Sequence, residues 1–178
     1  APRHPVAQSL LKTFGQGIAA PSANRFGRIS PTQAGHVLEE LGRSVELILD
    51  GGDCEVGLES TILSLVSDRP CILRPGEISR TTLEDFLREP VDAITRPQGL
   101  RASGLLDSHY APKTPLRLLS SEDLRIFKPQ EDLRIAVMRL SPGRVPYAAL
   151  EISMPKGPRD YGKELYACLL YTSDAADD

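Results

Sequence analysis

Gly17-Ile-Ala-Ala-Pro-Ser-Ala-Asn-Arg-Phe-Gly-Arg-Ile-Ser-Pro-Thr32 runs from a short apolar segment through a polar loop into a helix start. The small apolar residues 18–20 suit the end of a buried strand, and Pro21 removes the donor that would continue its ladder. Ser30 is the predicted N-cap, with Gln33 at the capping-box position. A strand end, a polar loop and a helix N-terminus in this order expose backbone N–H groups to which an anion can bind. An ordinary capped helix after a turn explains the same residues equally well.

Short helices and strands alternate through the first ninety residues. Gly15 and Gly42 are predicted helix ends, and Ser79 is a predicted N-cap. Because the connections are short, we expect an α/β or α+β fold with a mixed twisted sheet. The pattern predicts helices over 5–14, 31–41 and 81–88, and strands over 45–49, 60–66 and 71–74.

The domain organisation follows from changes in composition. We expect a first domain over 1–97, a linker over 98–115 and a smaller, incomplete α/β domain over 116–167, with strands at 116–119 and 133–138. The linker contains the adjacent pair His109-Tyr110, followed by two prolines at 112 and 115, and lacks periodicity, which predicts an extended, ordered peptide.

Both ends of the chain look atypical as protein termini. The chain begins without Met, so an N-terminal truncation is expected. Residues 168–178, Cys-Leu-Leu-Tyr-Thr-Ser-Asp-Ala-Ala-Asp-Asp, resemble translated sequencing-adapter read-through and are left out of the fold prediction.

Composition places the protein among ordinary globular chains. The 178 residues include 40% hydrophobic and 25% charged residues and carry a formal net charge of −3, without an apolar run long enough to cross a bilayer. Three cysteines fit neither an even disulfide framework nor metal-ligand spacing, which favours a reducing cytoplasm. Cys54 and Cys71 have no basic neighbour in sequence and are interpreted as packed or unreactive.

Polar side chains lie at the ends of several predicted elements, where they can converge on one cleft. Arg74 ends a strand, and the planar fork of an arginine suits a phosphate, although a surface salt bridge explains it as well. Hydroxyls of Ser22 and Ser60 could hold the carboxylate or amine of a small ligand, although a plain strand also accounts for Ser60-Thr61. The sequence has no Walker loop, no G-x-S-x-G turn and no zinc-ligand spacing.

The combination of these motifs resembles the YrdC-like threonylcarbamoyl-AMP synthases, in the long form that carries an extra C-terminal domain. The resemblance covers residues 1 to about 115, and the fold that it implies is YrdC-like, a twisted mixed sheet with flanking helices. The motifs that carry it are Ala20-Pro-Ser-Ala-Asn24, Ser30-Pro-Thr32, Ile48-Leu-Asp-Gly-Gly52, Gly57-Leu-Glu-Ser-Thr61, Leu73-Arg-Pro-Gly76 and the His-Tyr-Ala-Pro within 104–112.

The resemblance implies a nucleotidyltransferase that joins L-threonine, bicarbonate and ATP into threonylcarbamoyl-adenylate and pyrophosphate for tRNA modification. It implies ATP as a substrate, Mg²⁺ accompanying ATP without an identified protein ligand, and downstream tRNA-modification proteins as partners. No side chain is assigned as a catalytic nucleophile. By resemblance, Ser22 and Ser60 would contact threonine; Asn24, Thr32, Arg74 and Tyr110 would contact the nucleotide; and His109 and Tyr110 would form a lid.

Two departures from the family pattern qualify this expectation. The family's Lys-x-Arg pair would lie upstream of Ala1, so residues 1–97 would be the C-terminal half of the YrdC-like catalytic domain. This chain alone is therefore expected to be inactive and to expose apolar surface. The lid begins Ala102-Ser103-Gly104, where the family usually has Ser/Thr-Pro-Gly.

An alternative function from another class is a double-stranded RNA or tRNA-binding module of the same fold. It has weak support, because residues 1–115 contain no basic cluster and the chain has no Trp for base stacking.

Overall fold

The computed structural model describes residues 2–93, 111–130 and 132–174. His109, Tyr110 and the linker segment 98–110 lie outside the described residues. The mixture of helices and small sheets confirms the predicted α/β (α+β) class. In chain order the elements are α1 (Pro5–Phe14), α2 (Ala34–Leu41), a 3₁₀ turn (Gly42–Ser44), β1 (Ile62–Ser64), β2 (Cys71–Arg74), α3 (Arg80–Leu87), α4 (Ser121–Ile126), β3 (Ala136–Arg139), β4 (Leu150–Ser153) and α5 (Pro158–Asp174).

The described strands form two two-stranded sheets. β1 and β2 are antiparallel, with Ile62 opposite Arg74 and an irregularity between Ile62 and Leu63. β3 and β4 are parallel, with Ala136 opposite Leu150. The first pairing places Arg74, at the end of β2, beside the chain that enters β1, and this is the contact on which the site is built.

Local sequence signals correctly predict several helix ends. α1 begins with Pro5 and ends at Gly15, whose φ of 73° is a left-handed conformation that glycine adopts at low cost. At α3 the Ser79 hydroxyl accepts the Thr82 N–H at 3.2 Å, which confirms the predicted N-cap. α2 ends at Gly42, also as predicted.

The predicted start of α2 is wrong. The helix begins at Ala34, and Gln33 occupies the N-cap position without a side-chain cap. Tertiary contacts take the polar groups that the local pattern assigned to capping. The Ser30 hydroxyl bonds to Asn24 and Glu59, and the Thr32 carbonyl accepts the Cys54 N–H at 2.9 Å.

The strands predicted at 45–49 and 116–119 are also wrong, because neither segment pairs in a ladder. Residues 18–20 likewise belong to no strand. Aliphatic composition favours a strand only where a neighbouring strand takes up its backbone hydrogen bonds, and no described strand pairs with these segments.

The buried apolar residues come from β2, from β3 and from segments outside the strands. Val91 is fully buried beside Asp92, which forms a backbone bridge with Cys71 of β2, and the Val91 N–H donates to a Glu84 carboxylate oxygen at 3.0 Å. That bond, followed by the Arg80 hydrogen bond, lowers the pKa of Glu84. Much apolar surface is exposed, as expected from the sequence. The buried apolar residues are Ile29, Cys71, Ile72, Leu73, Val91, Val137, Val145, Met154 and Leu169.

Val91→Ala is expected to lower the free energy of unfolding by about 1 to 3 kcal/mol, because it removes two buried methyl groups and leaves a cavity. Val66→Ala is the matched control, since Val66 is 75% exposed, and it should change stability by less than about 0.5 kcal/mol. Urea unfolding followed by circular dichroism measures both. Equal effects would contradict the position of Val91 in the core.

The C-terminal helix includes residues that the sequence predicts to be of foreign origin. α5 continues through residues 168–174, and Leu169 is buried. The helical conformation does not bear on the origin of this segment, which stays a prediction. Across the described ranges, no helix is long and apolar enough to span a membrane.

Candidate functional site

A polar network joins the loop before α2 to the segment before β1. The Arg74 guanidinium holds Ser60 with two hydrogen bonds, from Nε to the Ser60 carbonyl and from one terminal nitrogen to the Ser60 Oγ, both 3.0 Å long. Its other terminal nitrogen lies 3.5 Å from Glu59 Oε2. The Arg74 and Glu59 side chains are only 11% and 18% exposed, so the pair is largely screened from water. Arg74 and Ser60 therefore form one unit.

Glu59 connects this unit to the opening loop. Its Oε1 accepts the Ser30 hydroxyl in a short hydrogen bond, and the Ser30 Oγ also lies 3.2 Å from Asn24 Oδ1. A hydroxyl has one proton, so it donates to one acceptor at a time, and the charged carboxylate is the stronger one. The sequence places Glu59 in the polar segment Glu59-Ser60-Thr61 and predicts Ser30 as an N-cap, but it predicts no ligand-binding role for either residue. The acidic residue directly before Ser60 was the available signal.

The Asn24 side chain stabilises its own loop through hydrogen bonds to the backbone. Its amide nitrogen donates to the carbonyl oxygens of Arg25 at 2.9 Å and Arg28 at 3.1 Å. Both amide protons are thereby used within the loop, which leaves the carbonyl Oδ1 as the group through which Asn24 can meet a ligand.

A cleft of ≈ 270 Å³ opens beside this network. Ser30 belongs to both the network and the cleft wall, and Ser22 and Thr32 lie on the same wall. Residues 48–52 also line the cleft, and there the Asp50 carboxylate accepts the Gly52 N–H at 2.9 Å in an Asx turn. The cleft is lined by Ser22, Ala23, Ser30, Pro31, Thr32, Gln33, Ala34, Val37, Ile48, Leu49, Asp50, Gly51, Gly52 and Cys54.

Thr32 is held at the base of this wall. Thr32 is 7% exposed, and its N–H donates to the Nδ1 of His36 at 3.3 Å. His36 lies in the first turn of α2. His36 thus reaches back over the helix start. The structure brings together Ser22, Thr32 and Ser30 in the cleft, and Asn24, Ser60 and Arg74 in the adjoining network. Tyr110 and His109 lie outside the described residues.

The described residues offer hydrogen-bond donors and a guanidinium cation at the site, and no group of three or more His, Cys, Asp or Glu side chains among them could hold a metal ion. The Ser60 Oγ accepts a hydrogen bond from Arg74, and no hydrogen bond among the described residues uses the Ser60 hydroxyl proton. The site therefore suits a small polar or anionic ligand held by hydrogen bonds.

Cys54 lies on the cleft wall, and partial burial, followed by the charge of Asp53, raises the pKa of its thiol. A raised pKa leaves less thiolate at neutral pH, so iodoacetamide should alkylate Cys54 more slowly than free cysteine, with the rate rising as the pH approaches the raised pKa. Mass spectrometry of the modified peptide measures the rate at each cysteine, and Cys54→Ser is the control for assignment. Alkylation as fast as that of free cysteine at pH 7 would contradict this environment.

Two family models match the chain in succession. Residues 1–76 match the Sua5/YciO/YrdC family, described as "Telomere recombination". Residues 78–177 match the family described as "Threonylcarbamoyl-AMP synthase, C-terminal domain".

Relatives and a solved structure agree with these matches. The chain is 40% identical over 128 residues to a Bacillus subtilis protein named threonylcarbamoyl-AMP synthase, covering 70% of this chain and 37% of that protein. It is 53% identical over 129 residues to the Schizosaccharomyces pombe protein of the same name, covering 66% and 31%. The crystal structure of Pyrococcus abyssi Sua5 complexed with L-threonine superposes with a TM-score of 0.80 at 26% identity, covering 97% of this chain and 54% of that one. The chain thus spans about a third of the length of these two relatives.

Proposed function

The chain belongs to the threonylcarbamoyl-AMP synthase family, and we propose on that basis that it forms part of an L-threonylcarbamoyladenylate synthase, a nucleotidyltransferase that works with ATP. The observation that carries the proposal is the Arg74–Ser60 unit, tied through Glu59 and Ser30 to a polar cleft. The similar Pyrococcus abyssi Sua5 was crystallised in complex with L-threonine, which supports L-threonine as the ligand.

In the first step of the proposed reaction, the threonine amine nitrogen forms a bond to the carbon of bicarbonate. A C–O bond of bicarbonate breaks and water leaves, which gives the carbamate. The carbamate oxygen attacks the α-phosphorus of ATP, a new P–O bond forms, and pyrophosphate leaves with the electrons of the broken P–O bond. A carbamate is labile in water, so the reaction requires a site that orients the reactants and excludes solvent. No covalent protein intermediate is needed.

The proposed roles of this chain's residues follow from their positions. Ser22, on the cleft wall, and Ser60, through its available hydroxyl proton, would contact threonine. Asn24, through its carbonyl oxygen, Thr32 and Arg74 would contact the nucleotide, and the Arg74 charge would offset charge on the phosphate oxygens. Tyr110 would complete the nucleotide contacts, with His109 and Tyr110 closing over the pocket.

We keep the division into a domain over 1–97, a linker and lid over 98–115 and a smaller domain over 116–167 as part of the proposal, with 168–178 of foreign origin. Mg²⁺ would enter with the ATP phosphates, which carry the oxygen ligands that it prefers. The unpaired cysteines suit a cytoplasmic protein, and tRNA-modification proteins would consume the product.

The function is tested by pyrophosphate release from ATP, using a protein of the relatives' full length that contains this chain. Release should require both L-threonine and bicarbonate and should stop when either is omitted. Release without threonine would contradict the proposal. No release, together with salt-dependent binding of tRNA, would favour the RNA-binding alternative.

A further inference from the structure

Helix α5 passes close to the loop that leads into Glu59 and Ser60. Gly57 is buried, and a Cβ on it would lie 2.0 Å from the Lys163 carbonyl oxygen and 2.7 Å from the Lys163 Cα. Gly162 is buried as well, and a Cβ there would lie 2.8 Å from Leu58 Cδ1. Two glycines therefore allow the backbone of the helix to lie directly against the loop.

The same helix also contacts the other segment of the network. Arg159, in the first turn of α5, pairs with Glu77 at 2.9 Å between Nε and Oε1. Glu77 follows Gly76, which packs against the backbone of residues 59–61. α5 thus contacts residues two and three positions before Ser60 in one segment and a residue three positions after Arg74 in the other.

We infer that α5 positions the Glu59–Ser60 segment, so that the C-terminal part of the chain determines how well the site binds its ligand. The inference rests on the proposed function for the identity of that ligand. Residues 57–58 lead directly into Glu59 and Ser60, so a shift of this loop would displace the Ser60 carbonyl and hydroxyl that Arg74 holds. The Ser60 hydroxyl is the group that would meet L-threonine. Sites of this kind tolerate displacements of only about 0.5 Å.

Gly57 provides the sharpest test. Its φ lies outside the left-handed region, so the α5 backbone, and not backbone strain at Gly57, excludes a side chain there. Gly35 is the matched control, because it lies in α2 with no atom within 4 Å of an added Cβ and is also outside the left-handed region.

The experiment is calorimetric titration of L-threonine into the full chain and its variants. Gly57→Ala should weaken binding by about tenfold or more, and Gly162→Ala by roughly threefold, because the flexible end of Leu58 can partly move away. Gly35→Ala should leave the affinity within about twofold of the parent chain. Equal affinity for all three variants would overturn the inference.

A second-site change separates positioning from general damage. Leu58→Ala removes the atoms that an added Cβ on residue 162 would meet, so the pair Gly162→Ala and Leu58→Ala should bind better than Gly162→Ala alone. A double variant that binds as poorly as the two losses combined would contradict direct contact.

A ligand-free readout separates this inference from the proposed function. In ¹H–¹⁵N spectra of folded Gly162→Ala, the Ser60 and Thr61 amides and the Arg74 Nε–H should shift, whereas α1 amides should keep their positions. Unshifted site resonances would overturn the inference whether or not the parent chain binds threonine. Shifted resonances in a chain that does not bind threonine would leave the positioning role intact and count against the proposed function. If Gly57→Ala does not fold, Gly162→Ala provides both readouts.

Discussion

Replacing Arg74 by alanine is expected to reduce threonine-dependent pyrophosphate release by at least about 100-fold in a full-length protein that contains this chain. The change removes a positive charge near the proposed phosphate position, and loss of one such donor from a preorganised site typically costs about 10²–10³ in rate. It also deletes both hydrogen bonds to Ser60 and leaves Glu59 without its cation. We therefore expect a loss of stability as well, about 1 to 3 kcal/mol.

Lysine at position 74 should rescue little of the activity. An ammonium group keeps the charge but cannot span the Ser60 carbonyl, the Ser60 hydroxyl and the Glu59 carboxylate in the fixed geometry of a guanidinium. Arg69→Ala is the matched control, since Arg69 pairs with Asp92 at 3.7 Å with both side chains about half exposed or more, and it should remain nearly fully active. Undiminished turnover in Arg74→Ala would remove Arg74 from the site.

Gly76→Ala is expected to displace the backbone of residues 59–61 and to lower the free energy of unfolding by about 3 kcal/mol or more. An added Cβ would lie 2.4 Å from the Thr61 nitrogen, 2.5 Å from the Glu59 carbonyl oxygen and 2.8 Å from the Ser60 carbonyl carbon. All three are backbone atoms, so no side-chain rotation relieves the overlap. The expected loss of stability therefore lies at or above the upper end of the usual range for overpacking, about 1 to 3 kcal/mol. L-Threonine binding should be lost together with stability.

The control for Gly76→Ala is the same substitution at Gly35. An added Cβ there meets no atom within 4 Å, and alanine in a helix is favoured over glycine by roughly 0.5 to 1 kcal/mol. Gly35→Ala should therefore be neutral or slightly stabilising. Thermal unfolding of the two variants side by side measures the difference. A stable Gly76→Ala chain would contradict the close packing of Gly76 against residues 59–61.

The sequence predicted elements whose ends depend on local chemistry. Pro5 and Gly15 bound α1, and Ser79 caps α3, because each acts on backbone groups within a few residues of itself. The start of α2 could not be read in the same way. Ser30 looked like a cap, but its hydroxyl bonds to Glu59, 29 residues further along the chain.

The same contrast between local signals and tertiary contacts applies to the site. Polar side chains at the ends of strands can converge, which predicts that Ser60 and Arg74 lie in one site. The pairing of β1 with β2 does bring them into contact. Nothing local indicated that Glu59 links Arg74 to the opening loop, because that link exists only once the two segments meet. The packing of α5 against Gly57 was equally hidden, since a glycine in a loop is usually explained by its own turn.

We propose that the cleft and network around Ser22, Ser60 and Arg74 bind L-threonine. Calorimetric titration of this chain with L-threonine tests it most directly, with L-valine as the isosteric control that lacks the hydroxyl. We predict saturable binding of threonine. Valine should bind at least about tenfold more weakly, because a site built to hydrogen-bond a hydroxyl rejects an analogue without it. Threonine binding should be lost in Ser60→Ala, because that change removes the side-chain hydroxyl that would contact threonine. Threonine binding that persists unchanged in Ser60→Ala, or no threonine binding by the parent chain, would contradict this account.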